Sequence, residues 1–388
     1  MSNLEREDEQ PESVSPLELF YDLVFVGGVV VLAHRVGAGS SELAEAWVLT
    51  AAFALVMVWL ATSLVFNRYP ILGRPFDSAH SAIRVSLVFA QMAGVLICIL
   101  ALQPDSQLTA EIGLIAFGWV ALTVAVMFIL SRGSHPAASS HPRAPGILMF
   151  VAAALLFASS RFEDSRHTYI PILAAVVCLV LAVVFALSDN KALIRVAHLR
   201  ERLALAMMIL LGESFLGLII GLLTTHNLPK PPLLVGAIIF PMVAFVMYFG
   251  PASSNTDRDP SLLPWVFAQL FLLFAIASTG AALANRAENL NRFVSSDSYV
   301  QLTIRFALLF IAMAVLSWVS RSRIRAIPWI YLCAAALVVA VGIAEIRFSI
   351  GQPFATLFEL ALFVIVVAIT TTLGLIASHS EQRSASHA

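Results

Sequence analysis

Apolar runs long enough to cross a membrane follow one another along the whole chain, and this feature most constrains the fold. Of the 388 residues, 60% are hydrophobic and only 12% are charged, whereas soluble domains average about 25% charged residues. The runs are continuous and lack the alternation of a membrane β-barrel. Because lipid satisfies no backbone hydrogen bond, the sequence predicts an integral membrane protein built of helices.

We predict an all-α polytopic fold of about twelve transmembrane helices, of which the fifth is short for a full crossing. The predicted spans run approximately over residues 17–36, 46–66, 84–102, 110–130, 146–160, 169–187, 203–223, 233–250, 262–284, 300–319, 327–343 and 354–377. Prolines such as Pro171 are expected to punctuate the connections. Residues 1–14 are predicted to form a disordered acidic tail, 15–378 the transmembrane domain, and 379–388 a C-terminal tail.

The distribution of basic residues predicts the orientation. Counted by side, 15 of the 23 Lys and Arg residues fall on the side of the two termini. The positive-inside rule therefore places both termini in the cytoplasm. The strongest anchors of this orientation are the basic groups Lys191, Arg195, Arg200 and Arg202, and Arg321, Arg323 and Arg325.

A short internal match suggests a duplication. Val88–Gln91 in the third span recurs as Val266–Gln269 in the ninth. If residues 15–190 repeat as 195–378, each half has an even number of helices. The two six-helix halves would then be parallel repeats about an axis along the membrane normal.

The start of the first span carries two carboxylates into the membrane. Ser15 is expected to be the N-cap, Pro16 fits the first helical position, and Glu18 completes a capping box. Asp22 lies one turn deeper on the same face, where a charge is costly and must face protein or water. Arg84, at the start of the third span, is a candidate partner, and both a functional and a structural role for Asp22 remain open.

Further polar residues lie within other spans. Glu213 lies about two turns into the seventh, beside Gly212, which is expected to allow close helix approach. Under the duplication, each half contributes a carboxylate at a helix start, a deeper carboxylate and one glutamine. The predicted pathway residues are Glu18, Asp22, Gln91, Glu201, Glu213 and Gln269, and those for helix starts and pairing are Ser15, Arg84, His198 and Arg202. The glutamines either line a path or join helices.

No cofactor or metal site is predicted. The three cysteines, Cys98, Cys178 and Cys333, lie far apart inside apolar runs, which indicates small buried residues. Glu201 follows His198, but no complete metal-ligand set surrounds the pair. Motifs of nucleotide hydrolysis and of serine or metalloprotease chemistry are absent from the sequence.

Two motifs suggest a family. Pro16–Val26 resembles the opening motif of the bacterial low temperature requirement protein A family, and His198–Arg202 followed by Leu211–Ser214 is similar to its second motif. The positions that this resemblance carries over are Glu18, Phe20, Asp22, His198, Glu201, Arg202, Gly212 and Glu213. It implies a bacterial inner-membrane protein of unestablished activity. Trp265–Leu270 lacks the histidine associated with the family early in the ninth span.

The leading hypothesis is a secondary transporter or a proton- or cation-conducting protein of the bacterial cytoplasmic membrane. Asp22 and Glu213 would bind protons, cations or a small polar solute. One alternative is a non-transporting sensor or interaction protein in which the carboxylates only fix helix packing. A membrane enzyme acting on lipids is the other, with Glu18 and Glu201 as its carboxylates.

Overall fold

The computed structural model describes residues 15–35, 42–68, 79–103, 106, 108–130, 143–162, 165–188, 196–224, 231–249, 261–288, 296–320, 324–348 and 352–386. Within these ranges the regular structure is α-helical and no strand occurs. The all-α polytopic class is therefore confirmed. The predicted N-terminal tail lies outside the described residues, as do the basic residues Lys191, Arg195, Arg321 and Arg323.

Twelve helices occur in the described ranges, one at each predicted span. They are α1 (Pro16–Arg35), α2 (Glu42–Arg68), α3 (Ala79–Ala101), α4 (Ala110–Leu130), α5 (Arg143–Ser159), α6 (Ser165–Ser188), α7 (Val196–Thr224), α8 (Pro231–Phe249), α9 (Leu262–Glu288), α10 (Ser296–Val319), α11 (Ile327–Phe348) and α12 (Gln352–Ser386).

Most helix ends lie close to the predicted ones. The backbone N–H of Glu18 donates a 3.3 Å hydrogen bond to Ser15 Oγ, so Ser15 is the N-cap of α1. The two largest differences are that α7 begins seven residues before the predicted span and that α12 continues to Ser386, into the predicted C-terminal tail. Pro171 lies inside α6 and not in a connection. It is the seventh residue of that helix, close to its start, and membrane helices tolerate such prolines.

Length and composition qualify eight of the described helices as membrane spans: α2, α3, α4, α6, α9, α10, α11 and α12. The apolar parts of α5 and α8 are shorter. Large apolar side chains are exposed on many helices, as with Ile170 at 74% and Met242 at 64%. Exposing such surfaces to water is unfavourable, whereas contact with hydrocarbon is not. These faces are therefore suited to contact with lipid.

The chain divides into two compact units. The first comprises residues 1–28 and 53–206, and the second comprises residues 29–52 and 207–388. Helices α1, α2 and α7 each contribute to both units. The boundary gives no test of the proposed six-helix duplication, which stays a prediction.

In the first unit, helices that follow each other in the sequence pack side by side, α3 on α4, α4 on α5, and α5 on α6. Small residues bring their backbones close together. A Cβ added to Gly94 would lie 2.6 Å from Val120 Cγ2 and 3.3 Å from the carbonyl oxygen of Ala116. Glycine at this position therefore lets α3 lie directly against α4.

In the second unit, α8, α10 and α12 share an aromatic core. The rings of Phe240, Phe306 and Phe363 lie with their centroids 5.6 to 6.1 Å apart, and Phe310 packs on Phe363 at 6.0 Å. All four side chains are fully buried. Tilted and edge-on ring pairs at these distances add to the stabilisation from burial.

Candidate functional site

Asp22 and Arg202 form a buried ion pair in the first unit. Arg202 Nε donates a 3.1 Å hydrogen bond to Asp22 Oδ2, and Arg202 Nη2 contacts Asp22 Oδ1. Both side chains are completely buried. The cation that pairs with Asp22 is therefore Arg202 of α7, whereas the sequence analysis favoured Arg84 of α3. The fork-like geometry matches two guanidinium N–H groups to the two carboxylate oxygens.

A second ionisable pair lies one turn nearer the starts of the same helices. His198 Nε2 is 3.1 Å from Glu18 Oε2, and both side chains are buried. Although the two atoms are close, neither makes a hydrogen bond of acceptable angle to a described residue. The Glu18 carboxylate faces His198, so only the Ser15 half of the predicted capping box forms.

The two pairs form a ladder because their spacing is the same on both helices. Glu18 and Asp22 are four residues apart on α1, as His198 and Arg202 are on α7. Side chains four apart lie on one helix face, about 6 Å apart along the axis. Since α7 already begins at Val196, both His198 and Arg202 are inside the helix and share a face. We call these four residues the α1–α7 charge ladder.

Helix α2 encloses the deeper rung of this ladder. Trp59 Nε1 donates a 2.7 Å hydrogen bond to Asp22 Oδ1. The Arg202 guanidinium carbon lies 5.2 Å from the Phe66 ring centroid and 5.9 Å from that of Trp59. These rings attract the cation and exclude water from it, which strengthens the attraction between Arg202 and Asp22.

Gln91 of α3 is the centre of a neutral polar network. Its Oε1 accepts a 3.0 Å hydrogen bond from the Tyr21 hydroxyl and a 3.1 Å bond from Thr62 Oγ1. Its Nε2 lies 3.0 Å from Met127 Sδ. Gln91, Tyr21 and Thr62 have no exposed surface. One glutamine thus joins α1, α2, α3 and α4, and Tyr21 connects this network to the charge ladder through its neighbour Asp22.

Some hydrogen-bonding atoms of the ladder remain unused. Arg202 Nη1, both ring nitrogens of His198 and Glu18 Oε2 are buried and have no hydrogen-bond partner within the described ranges. Because a buried polar atom that makes no hydrogen bond costs about 1–3 kcal/mol, such atoms are rare in native proteins. Four such atoms occur in this cluster, and two of them, Glu18 Oε2 and His198 Nε2, lie 3.1 Å from each other.

Other predicted site residues lie apart from the ladder. Glu201 is exposed, although it adjoins Arg202. Glu213 is half-buried in the second unit, and no hydrogen bond or ion pair joins it to another described residue. Gln269, also of the second unit, is 7% exposed, and its Oε1 accepts no hydrogen bond from the described part of the chain.

The predicted close approach at Gly212 is wrong. A Cβ there would meet nothing within 4 Å, and the residue is exposed. The close contact of this segment occurs two residues later, on the other side of α7. A Cβ added to Gly280 of α9 would lie 2.7 Å from Ser214 Oγ.

The second unit has buried polar contacts of its own. Thr303 Oγ1 donates a 2.6 Å hydrogen bond to Glu359 Oε1, and Arg305 Nη1 donates a 3.0 Å bond to the carbonyl oxygen of Ser278. The Tyr331 hydroxyl lies 3.2 Å from Thr370 Oγ1. These contacts join α10 to α12, α10 to α9, and α11 to α12.

Sequence reasoning missed the residues that surround the charges. Trp59, Phe66 and Thr62 look like ordinary members of an apolar span, and no motif sets them apart. Their two spacings, three between Trp59 and Thr62 and four between Thr62 and Phe66, do place them near one helix face. Among the described residues no three His, Cys, Asp or Glu side chains are grouped as a metal site would require.

The comparison with known families agrees with the two motifs. The family described as bacterial low temperature requirement A protein (LtrA) matches residues 13–380, nearly the whole chain. The chain belongs to this family. All four residues of the charge ladder lie within the matched region. Neither a curated protein nor a solved structure gave a match.

Proposed function

We propose that this LtrA-family protein is a secondary transporter of the bacterial cytoplasmic membrane, with the α1–α7 charge ladder as the binding centre for a small polar solute or its coupling ion. The observation that carries the proposal is the burial of two ionisable pairs, four of whose hydrogen-bonding atoms make no hydrogen bond to a described residue. Ionisable residues within membrane helices are costly, and they commonly line the pathways of ions and substrates.

Stability alone is a weak reason to keep such a cluster. Replacing a buried ion pair by apolar residues of similar volume is often neutral or stabilising, because desolvation offsets the Coulomb attraction. Asp22 and Arg202 bear that desolvation cost with no exposed surface. A binding role gives a reason for retaining them that packing does not.

A specific observation favours a second, structural role. Asp22 is well satisfied, since Arg202 and Trp59 supply three donors to its two oxygens. In a non-transporting sensor or interaction protein, the same contacts would hold α1, α2 and α7 together. The unused atoms at Arg202, His198 and Glu18 favour the transporter, because a purely structural pair has no need of them.

Transport can be tested before the substrate is known. The purified full-length protein is reconstituted into liposomes on a solid-supported membrane, and currents are recorded as amino acids, sugars, organic acids, amines and salts are applied. If the proposal is correct, at least one class of solute gives a current or tracer uptake. Asp22→Asn, which preserves shape, is expected to abolish it, and Glu213→Gln tests the second predicted carboxylate.

Two results would overturn the proposal. One is a folded, correctly inserted protein that moves none of the solutes and no protons. The other is transport that survives in folded Asp22→Asn, which would assign the ladder a structural role. Turnover of vesicle lipids without solute flux would favour the membrane-enzyme alternative. Glu111→Gln, which alters an exposed carboxylate at the start of α4, is the matched control.

The proposed orientation places both termini in the cytoplasm. It is tested by fusing reporters that are active only on one side of the membrane to the C-terminus and to the connection after α1. A C-terminal fusion of green fluorescent protein should fluoresce, and alkaline phosphatase at the same point should be inactive. The opposite pattern would invert the topology and place the ladder near the outer surface.

A further inference from the structure

We infer that the charge ladder binds a short zwitterion, an amino-acid-like solute whose carboxylate contacts Arg202 and whose ammonium contacts Glu18. This inference rests on the proposed transport function and names its substrate class. The observations that support it are the burial and chemistry of the unused atoms and the spacing of the two rungs.

The first requirement is a free donor for the carboxylate. Asp22 occupies Nε and Nη2 of Arg202, while Phe66 and Trp59 cover the guanidinium. Nη1 is left at the remaining edge, buried and without an acceptor among the described residues. A guanidinium edge recognises a carboxylate oxygen well, because its N–H groups are charged and fixed in one plane.

The second requirement is an acceptor for the ammonium group. Glu18 Oε2 is buried and makes no hydrogen bond to the described chain, although His198 Nε2 lies 3.1 Å away. An ammonium carries three donors that can be directed toward such an oxygen. The free Nδ1 of His198 offers a further hydrogen bond beside it.

The opposite hydrogen-bonding chemistry of the two unused positions favours a zwitterion over a simple ion. Asp22 already balances Arg202, so a simple anion at Nη1 would add unbalanced negative charge close to both Asp22 and Glu18. A simple cation would contact Glu18 but leave the Arg202 edge unused. A zwitterion satisfies both positions, because it brings an acceptor for Arg202 Nη1 and donors for Glu18 in one molecule.

Spacing limits the size of the solute. The two rungs of the ladder are four residues, about 6 Å, apart along the helix axes. A solute with one or two carbon atoms between its ammonium and carboxylate can bridge that separation, whereas a longer chain would have to fold back. Because the unused atoms are buried, the solute must enter after the helices separate, as alternating access requires.

The binding test uses matched probes. Glycine and β-alanine are short zwitterions; acetate and methylammonium each keep one of the two charges; acetamide is neutral, and 6-aminohexanoate is a long zwitterion. Binding to the full-length protein in nanodiscs is followed by thermal shift, and uptake is measured in liposomes. Only glycine or β-alanine should stabilise the protein and compete for one site.

Variants then assign the two ends of the solute. Glu18→Gln removes the charge without changing the shape, and we expect at least a tenfold weaker affinity for the zwitterion. Arg202→Lys keeps the charge but loses the planar edge, and the same loss is expected. The controls are Glu111→Gln and Arg161→Lys, which alter exposed residues of the same unit and should leave the affinity within twofold.

The outcomes separate the two proposals. Transport of acetate, methylammonium or a sugar, with no effect of glycine or β-alanine, would leave the transporter standing and overturn the zwitterion. Zwitterion binding that is unchanged in folded Glu18→Gln would also overturn this inference. Absence of both binding and flux for every probe, in correctly inserted protein, would overturn both.

Discussion

The indole N–H of Trp59 donates a 2.7 Å hydrogen bond to Asp22 Oδ1, the same oxygen that Arg202 Nη2 contacts. The aromatic ring and the guanidinium thus approach the carboxylate together, and Trp59 also lies within cation–π distance of Arg202. This tryptophan therefore contributes to both halves of the ion pair, which makes it a direct test of how the pair is held.

We expect Trp59→Phe to lower the free energy of unfolding by about 1.5–3 kcal/mol, because it removes a hydrogen bond to a charged group and retains most of the ring. The measurement is equilibrium unfolding in mixed micelles. Trp119→Phe is the matched control, since that ring is 47% exposed and its loss should cost less than about 0.5 kcal/mol. Equal effects at both positions would argue that the Asp22 bond contributes nothing.

The ion pair should behave non-additively. Arg202→Met leaves Asp22 buried without its cation, and we expect a loss of about 3–5 kcal/mol in unfolding free energy. The double variant Asp22→Leu with Arg202→Met removes both charges and should recover most of that loss. A double variant as unstable as the sum of its single variants would show that the two residues act independently.

The same double variant separates stability from function. If the ladder is the binding centre, the protein that carries Asp22→Leu and Arg202→Met should be folded but inactive in the flux assay. The measurement combines the unfolding transition with solute-induced currents from one preparation. Full flux in this variant would contradict a binding role for the deeper pair.

Gln91 and Gln269 occupy equivalent positions in the short repeated sequence, but their surroundings differ. Gln91→Leu leaves the buried hydroxyl of Tyr21 without its acceptor, and we expect a loss of about 1–3 kcal/mol in unfolding free energy. Adding Tyr21→Phe should recover part of it. Gln269→Leu is the comparison, since it removes an unsatisfied oxygen and should be neutral or stabilising. A larger loss of stability for Gln269→Leu than for Gln91→Leu would contradict the assigned contacts.

Gly280 and Gly212 give a similar contrast within the second unit. Gly280→Ala would bring a Cβ to within 2.7 Å of Ser214 Oγ and 3.0 Å of Ser214 Cβ, so we expect a loss of about 1–3 kcal/mol from overpacking. Gly212→Ala meets no atom within 4 Å and should stabilise the helix by up to about 1 kcal/mol. Thermal unfolding of both variants in one detergent distinguishes them.

Local patterns in the sequence predicted most of the fold. Long apolar runs located all twelve helices, because each membrane helix satisfies its own backbone and is recognisable without its neighbours. Ser15 was recognised as an N-cap for the same reason, since its partner is the N–H three residues later. The start of α7 was predicted too late because His198 and Arg202 are polar and do not look like part of an apolar span. Their burial against other helices is what stabilises the first turns of α7.

The sequence alone determined the class of the protein, its helices, its family and the two motifs that carry the charged residues. Which residues meet was decided by the tertiary structure: Arg202 is 180 positions from Asp22, and Trp59 is 37 positions from it. An arginine can pair with any carboxylate within reach, so the sequence did not distinguish the true partner, and Arg84 was predicted in place of Arg202. The helix packing selected Arg202, because a buried charge is stable only where its partner and its hydrogen bonds are already in place.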